Sequence, residues 1–192
     1  MPKPTVTNFK PGPIHYVALG DSTGVGVGAR NGGYAGRLFR HISARRPGSR
    51  LTNLCVSGAT TAAVIESQLD QALATNANLM TVGIGINDIG HGLTVEEFGK
   101  NYEVILSRLK SDTDATIVVT NIPDISTAPR IPDFVRRRYP QLIMDFNQRS
   151  ILNREDGWGK YYLVSLLIKG PNGNTAMVTT VWIFSPGTDY PS

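Results

Sequence analysis

The apolar run Tyr16-Val17-Ala18-Leu19 stops abruptly at Gly20-Asp21-Ser22, and the same event recurs twice along the chain. Leu54-Cys55-Val56 gives way to Ser57-Gly58-Ala59-Thr60, and the run over residues 79–84 gives way to Gly85-Ile86-Asn87-Asp88. Short apolar runs that end at glycine and small polar residues read as strands buried on both faces. Strands are expected at residues 14–20, 50–56, 79–84, 115–121 and 161–168. Helical spacing of apolar residues lies between them, at 35–45, 61–75, 95–111 and 141–153. A β-α unit repeated four times before a fifth strand implies an α/β fold, a parallel sheet of about five strands with helices on both faces.

A chain of 192 residues fits one domain with a sizeable core, spanning 1–192. Residues 1–13 read as an extended arm and 169–192 as an atypical tail without the helix that should cover the last strand. The net charge of +4 comes with basic clusters at Arg45-Arg46 and Arg136-Arg137-Arg138. No aromatic residues interleave with them, so a solvated surface is the better reading and no nucleic-acid partner is expected. Cys55 is the one cysteine, which excludes an internal disulfide and suits a buried strand position. No apolar run approaches the ~20 residues of a membrane span. The first residues lack a hydrophobic signal core, so a cytoplasmic protein and a secreted one with its signal removed fit equally.

In a doubly wound sheet the carboxyl ends of the strands share one edge, where ligands bind. Ser22, Gly58 and Asn87 all fall there. Acyl transfer needs a nucleophile and donors aimed at a developing oxyanion. Ser22 offers a hydroxyl and its own N–H, Gly58 an unobstructed N–H, and Asn87 a side-chain NH₂. Taken singly, Ser22 is an N-cap or turn serine, Gly58 a turn glycine and Asn87-Asp88 a loop or cap pair. Gly24, Gly26 and Gly28 match neither phosphate-loop pattern, which leaves flexibility for substrate entry as their better reading.

Together the blocks resemble the SGNH hydrolases, the GDSL esterase and lipase family. Gly20-Asp21-Ser22, Gly58, Gly85-Ile86-Asn87-Asp88 and the stretch Val119-Thr120-Asn121-Ile122-Pro123-Asp124 carry the resemblance, in family order over roughly residues 14–168. It implies a flavodoxin-like three-layer α/β/α sandwich and hydrolysis of esters, thioesters or acetylated sugars with no metal or other cofactor. It makes Ser22 the nucleophile, with Ser22 N–H, Gly58 N–H and Asn87 as the oxyanion hole. Asp21 would set the turn and Asp88 would brace the loop that holds Asn87.

The family's closing Asp-x-x-His, whose histidine deprotonates the serine, has no counterpart. The three histidines are His15, His41 and His91. His15 starts strand one at the opposite edge and His41 sits within the first helix. His91, a few residues past Asn87, lies on the correct edge and is the substitute base to consider. The ending from Phe184 to Ser192 resembles the family pattern Phe-Ser-x-Asp-Gly-x-His-Pro-Ser, with Gly187 in place of the Asp and Tyr190 in place of the His. Slips of reading frame near the 3′ end of the gene would account for it.

Three readings remain open: a serine esterase acting on short-chain esters through an acyl-enzyme, a weak or inactive relative that binds on the same scaffold, and a flavin or nucleotide binder. A sheet lacking its last helix exposes apolar surface, so either the tail packs atypically or a second copy of the chain covers it.

Overall fold

In a computed structural model the described residues are 11–122, Leu142, Ile143 and Asp145, together with the backbone of strands at 155–156, 159–169 and 175–184. Four strands, β1 (His15–Gly20), β2 (Arg50–Asn53), β3 (Leu79–Gly83) and β4 (Thr116–Val119), form one parallel sheet. Their order is β2-β1-β3-β4. The chain steps outward from β1 to β2, then crosses back to place β3 on β1's other side. This reversal opens a crevice at the carboxyl ends of β1 and β3, the place where open α/β sheets take ligands.

Strand alternation explains why β1 is apolar throughout. Val17 and Leu19 face one core cluster, with Val64, Leu69, Phe98 and Ile105. Tyr16 and Ala18 face a second cluster, joined by Tyr34, Phe39 and Ile42 of α2 (Tyr34–Arg45). Both faces of the strand are therefore covered, as the continuous apolar run requires. The long helix α6 (Val95–Ser111) buries Phe98, Tyr102, Ile105 and Leu109 at intervals of three and four. Thr94 and Glu97 close its N-terminus reciprocally as a capping box.

The helix expected at 61–75 forms in pieces. Thr60 caps α3 (Thr61–Ala63), a π-helical turn follows at Val64–Gln68, and α4 (Leu69–Leu73) completes it. Two short helices were not expected: α1 (Ser22–Val25) and α5 (Ile86–Gly90), each starting at the end of a sheet strand. Of the helix expected at 141–153, Leu142, Ile143 and Asp145 are helical and the rest lies outside the described residues.

The fifth strand forms but not in the parallel sheet. A second sheet, ordered β5-β6-β7, comprises β5 (Glu155–Asp156), β6 (Gly159–Lys169) and β7 (Thr175–Phe184). β6 pairs antiparallel with β7 from Lys160↔Phe184 to Lys169↔Thr175. The reason is local. The sequence Gly170-Pro171-Asn172-Gly173 is rich in turn residue types and stands between two β-prone runs, a pattern that favours a hairpin over a crossover. Of the arm expected at 1–13, residues 1–10 lie outside the described residues, as does the ending at 185–192.

Candidate active site

The three strand-end blocks are tied into a closed ring of hydrogen bonds. Asp21 N–H donates to Gly83 O at 3.2 Å, which joins the end of β1 to the end of β3. Four residues past Gly83, Asn87 Nδ2 donates to Ala59 O at 2.8 Å. Ala59 N–H closes a turn onto Val56 O at 3.1 Å, with Gly58 inside it at φ +81°. Val56 N–H returns to Gly20 O at 3.0 Å. Gly58 owes its glycine to this turn, since positive φ at the third turn position disfavours a side chain.

Asp21 is buried and caps α1, accepting from Thr23 N–H and Thr23 Oγ1, both at 2.8 Å. Burial raises its carboxyl pKa above the ordinary value; the Thr23 bonds oppose this and the nearby Asp88 carboxylate adds to it. The cap fixes the first turn of α1, and Ser22 with it, directly after the end of β1. Ser22 is half-buried, and no hydrogen bond to a described residue uses its hydroxyl, its N–H or the N–H of Gly58. Asn87 spends one amide hydrogen on Ala59 O, and its NH₂ carries a second.

Asp88 is fully buried, and its carboxylate sits against the first turn of α3. Its carboxylate accepts from Thr61 N–H at 3.0 and 3.1 Å and from Thr61 Oγ1. Asn101 Nδ2 in turn donates to Thr61 Oγ1 at 3.1 Å. The brace therefore runs from α5 through α3 to α6. Gly85 permits the tight strand-to-helix turn ahead of Asn87, at φ +128° and with Ile122 Cδ1 2.5 Å from where a Cβ would stand.

His91 ends α5 and is exposed. Its Nδ1–H donates to Asn87 O at 2.7 Å, which leaves Nε2 as the ring's acceptor. His15 lies at the opposite edge, accepting from Arg50 at Nδ1 (2.9 Å) and contacting Thr52 Oγ1 through Nε2 (2.9 Å). Burial and then the Arg50 charge push its pKa down. His41 is exposed on α2. Among the described residues no imidazole is hydrogen-bonded to Ser22.

The glycines after Ser22 serve packing as well as turning. A Cβ on Gly24 would stand 2.3 Å from Cys55 Sγ, and one on Gly26 would stand 1.9 Å from Gly33 N. Gly28 has open space around it. Flexibility as the shared reason for these residues therefore fails at Gly24 and Gly26, where close approach of α1 to α2 and Cys55 excludes a side chain. Cys55 itself is half-buried, and desolvation pushes its thiol up to about 12.

Sequence reasoning missed the polar residues behind the ring. Gln68 is buried and its amide grips both polar groups of Gly20. Tyr16 and Tyr34 share Thr81 Oγ1, at 2.8 and 3.4 Å. A signal existed for Gln68: it stands beside Leu69 on the apolar side of a helical pattern, where a solvated glutamine does not belong. A small cavity of about 20 Å³ opens between the ends of β1, β3 and β4, beside Asp21, Thr23, Ile84 and Asn121. Among the described residues no group of three His, Cys, Asp or Glu side chains could hold a metal ion, and no helix is long and apolar enough to cross a membrane.

Residues 18–153 match the sequence model of the GDSL-like lipase/acylhydrolase family. The chain belongs to this family. As a GDSL-like hydrolase it is a carboxylic ester hydrolase of the SGNH type. The match ends before β5, so the antiparallel sheet lies beyond the family stretch. Among solved structures, the chain resembles the psychrotrophic esterase EstA from Pseudoalteromonas sp. at 21% identity, over 71% of each chain, with a TM-score of 0.54. It resembles the acetylxylan esterase Axe2 from Geobacillus stearothermophilus at 18% identity, over 73% of each chain, with a TM-score of 0.57. TesA is 20% identical over 70% of this chain and 69% of that one, with a TM-score of 0.57. At these identities the likeness is one of fold. The sequence matches no curated protein.

Proposed function

We propose that this GDSL-like hydrolase cleaves short-chain carboxylic esters through an acyl-enzyme formed on Ser22. The observation that carries the reading is the hydrogen-bond ring from Asp21 through Gly83, Asn87, Ala59 and Val56 back to Gly20. It holds a serine hydroxyl and three donors with spare capacity on one edge of the sheet. Attack by Ser22 Oγ on the ester carbonyl builds negative charge on the carbonyl oxygen. Ser22 N–H, Gly58 N–H and the second hydrogen of Asn87 Nδ2 receive that charge. Collapse expels the alcohol, and water then releases the acid.

Asp21 acts by capping α1 and Asp88 by bracing α5, so neither touches substrate. The proton of Ser22 needs an acceptor. His91 is the described imidazole on the correct edge, and the bond at Nδ1 makes Nε2 the acceptor of its neutral ring. The segment at 185–192, where the family histidine is expected, lies outside the described residues.

Turnover of short-chain p-nitrophenyl esters that vanishes in Ser22→Ala is the expected result. Turnover that survives the substitution removes Ser22 from the mechanism. The lack of an imidazole bonded to Ser22 among the described residues favours a second reading, a binding module with weak or no turnover. Labelling by a fluorophosphonate separates the two, because it requires an activated serine. No labelling together with measurable binding of an acetylated ligand selects the second.

A further inference from the structure

We propose that Gln68 is a positioning residue whose side-chain amide sets the spacing between Ser22 and the Gly58 turn; this rests on the reading of Ser22 as nucleophile. Gly20 lies two residues before Ser22. Its N–H donates to Gln68 Oε1 at 2.8 Å, and its carbonyl accepts from Gln68 Nε2 at 2.9 Å. The same carbonyl accepts from Val56 N–H at 3.0 Å, so one oxygen joins the helix, the nucleophile strand and the turn that carries Gly58.

The pairing pattern explains why an amide is needed there. In a parallel ladder the Gly20 N–H would look to β2 for its carbonyl, but β2 ends at Asn53. Gln68 supplies the missing acceptor and adds a donor, so a glutamine stands in for one peptide unit of strand. A bonded Gly20 leaves the next residue oriented toward β3, where Asp21 N–H meets Gly83 O.

The helix is distorted to achieve this. Leu69 N–H reaches back to Val64 O, one residue further than in an α-helix, which makes the π-turn at Val64–Gln68. The extra residue brings Gln68 onto Gly20 while Val64 and Leu69 stay in the core. With 1% of its surface exposed, the Gln68 amide has no water to fall back on. Each of its two polar ends therefore depends on Gly20. A mere packing role would be filled as well by an apolar side chain of that length, without the distorted turn.

Amide hydrogen exchange on the full chain tests this, with Val56 and Asp21 as reporters because neither bonds to Gln68. In the wild-type protein, Gly20, Asp21 and Val56 are expected to open as one unit, with the same protection and the same denaturant dependence. Separate openings overturn the proposal, and this arm needs no variant to fold. In Gln68→Met, exchange at Asp21 and Val56 should rise about tenfold or more relative to Arg50 and Thr120, which are bonded elsewhere in the sheet. An equal rise at all four means that Gln68 only packs, and it overturns the proposal.

Fluorophosphonate labelling of Ser22 gives the second readout. Labelling should slow by about tenfold or more in Gln68→Met. In Gln68→Glu, which keeps the length and an acceptor but loses the donor when ionised, it should slow as well. Wild-type labelling that persists at the same rate in both variants overturns the proposal. If wild type is not labelled while the exchange pattern holds, the Ser22 reading falls and the Gln68 linkage stands.

Discussion

Replacing Asp88 by alanine strands two donors at once, and the cost can be worked from the geometry. The carboxylate is fully buried and is the acceptor for both Thr61 N–H and Thr61 Oγ1. Thr61 N–H belongs to the first turn of α3, where no helix carbonyl can reach it. Each buried donor left without a partner costs about 1–3 kcal/mol. Relief from burying a charge offsets part of this, so the net loss is about 3 kcal/mol. That is a large share of a stability of about 5–15 kcal/mol. For a chain of this size it lowers Tm by about 6–12 °C.

Urea unfolding at constant m-value measures it directly. Thr61→Val removes one of the two donors, keeps the backbone bond, and should cost about half as much. The double variant should fall short of additivity by about 1 kcal/mol or more, because both changes act on one bond. A loss below about 1 kcal/mol for Asp88→Ala, or strict additivity, refutes the brace.

If Asn87 is a donor in the proposed oxyanion hole, Asn87→Ala should lower kcat for a p-nitrophenyl ester by about 10²–10³-fold with KM little changed; a fall of less than about tenfold excludes Asn87 from the oxyanion hole. Burial raises the Asp21 pKa, so the folded state holds this proton more tightly than the unfolded state. Its contribution to stability is therefore greatest below the unfolded carboxyl value of 3.8 and is lost as pH rises through the raised folded value. Asp21→Asn keeps an oxygen for Thr23 N–H and should remove that slope from unfolding free energies measured from the unfolded value of 3.8 upward to neutral pH; superimposable curves for the two proteins contradict it.

Much of the fold was legible because its signals are local. The run at Tyr16–Leu19 had to be a strand covered on both faces, and α6 announced itself through Phe98, Tyr102, Ile105 and Leu109. The helices α1 and α5 were not legible. Each is a single turn begun by a cap or a glycine, too short for periodicity to register. The pairing of β6 was misread because strand propensity carries no information about partners. The turn-prone residue types at 170–173, not the β-α rhythm before them, are the sequence signal that matches the antiparallel pairing of β6 with β7.

At the proposed site, the candidate residues Ser22, Gly58 and Asn87 stand out in the sequence, since each follows the end of an apolar run and their residue types suit acyl transfer. What holds them together does not. The bonds of Gln68 to Gly20 and of Asp88 to Thr61 join residues 48 and 27 positions apart. Such contacts depend on the crossing of helices over the sheet, which no local window contains. The sequence by itself determined which groups stand at the carboxyl edge, because apolar runs must be buried and must end somewhere. Only the tertiary structure decided how those groups are spaced, because a buried amide or carboxylate takes whichever unpaired donors the packing brings to it.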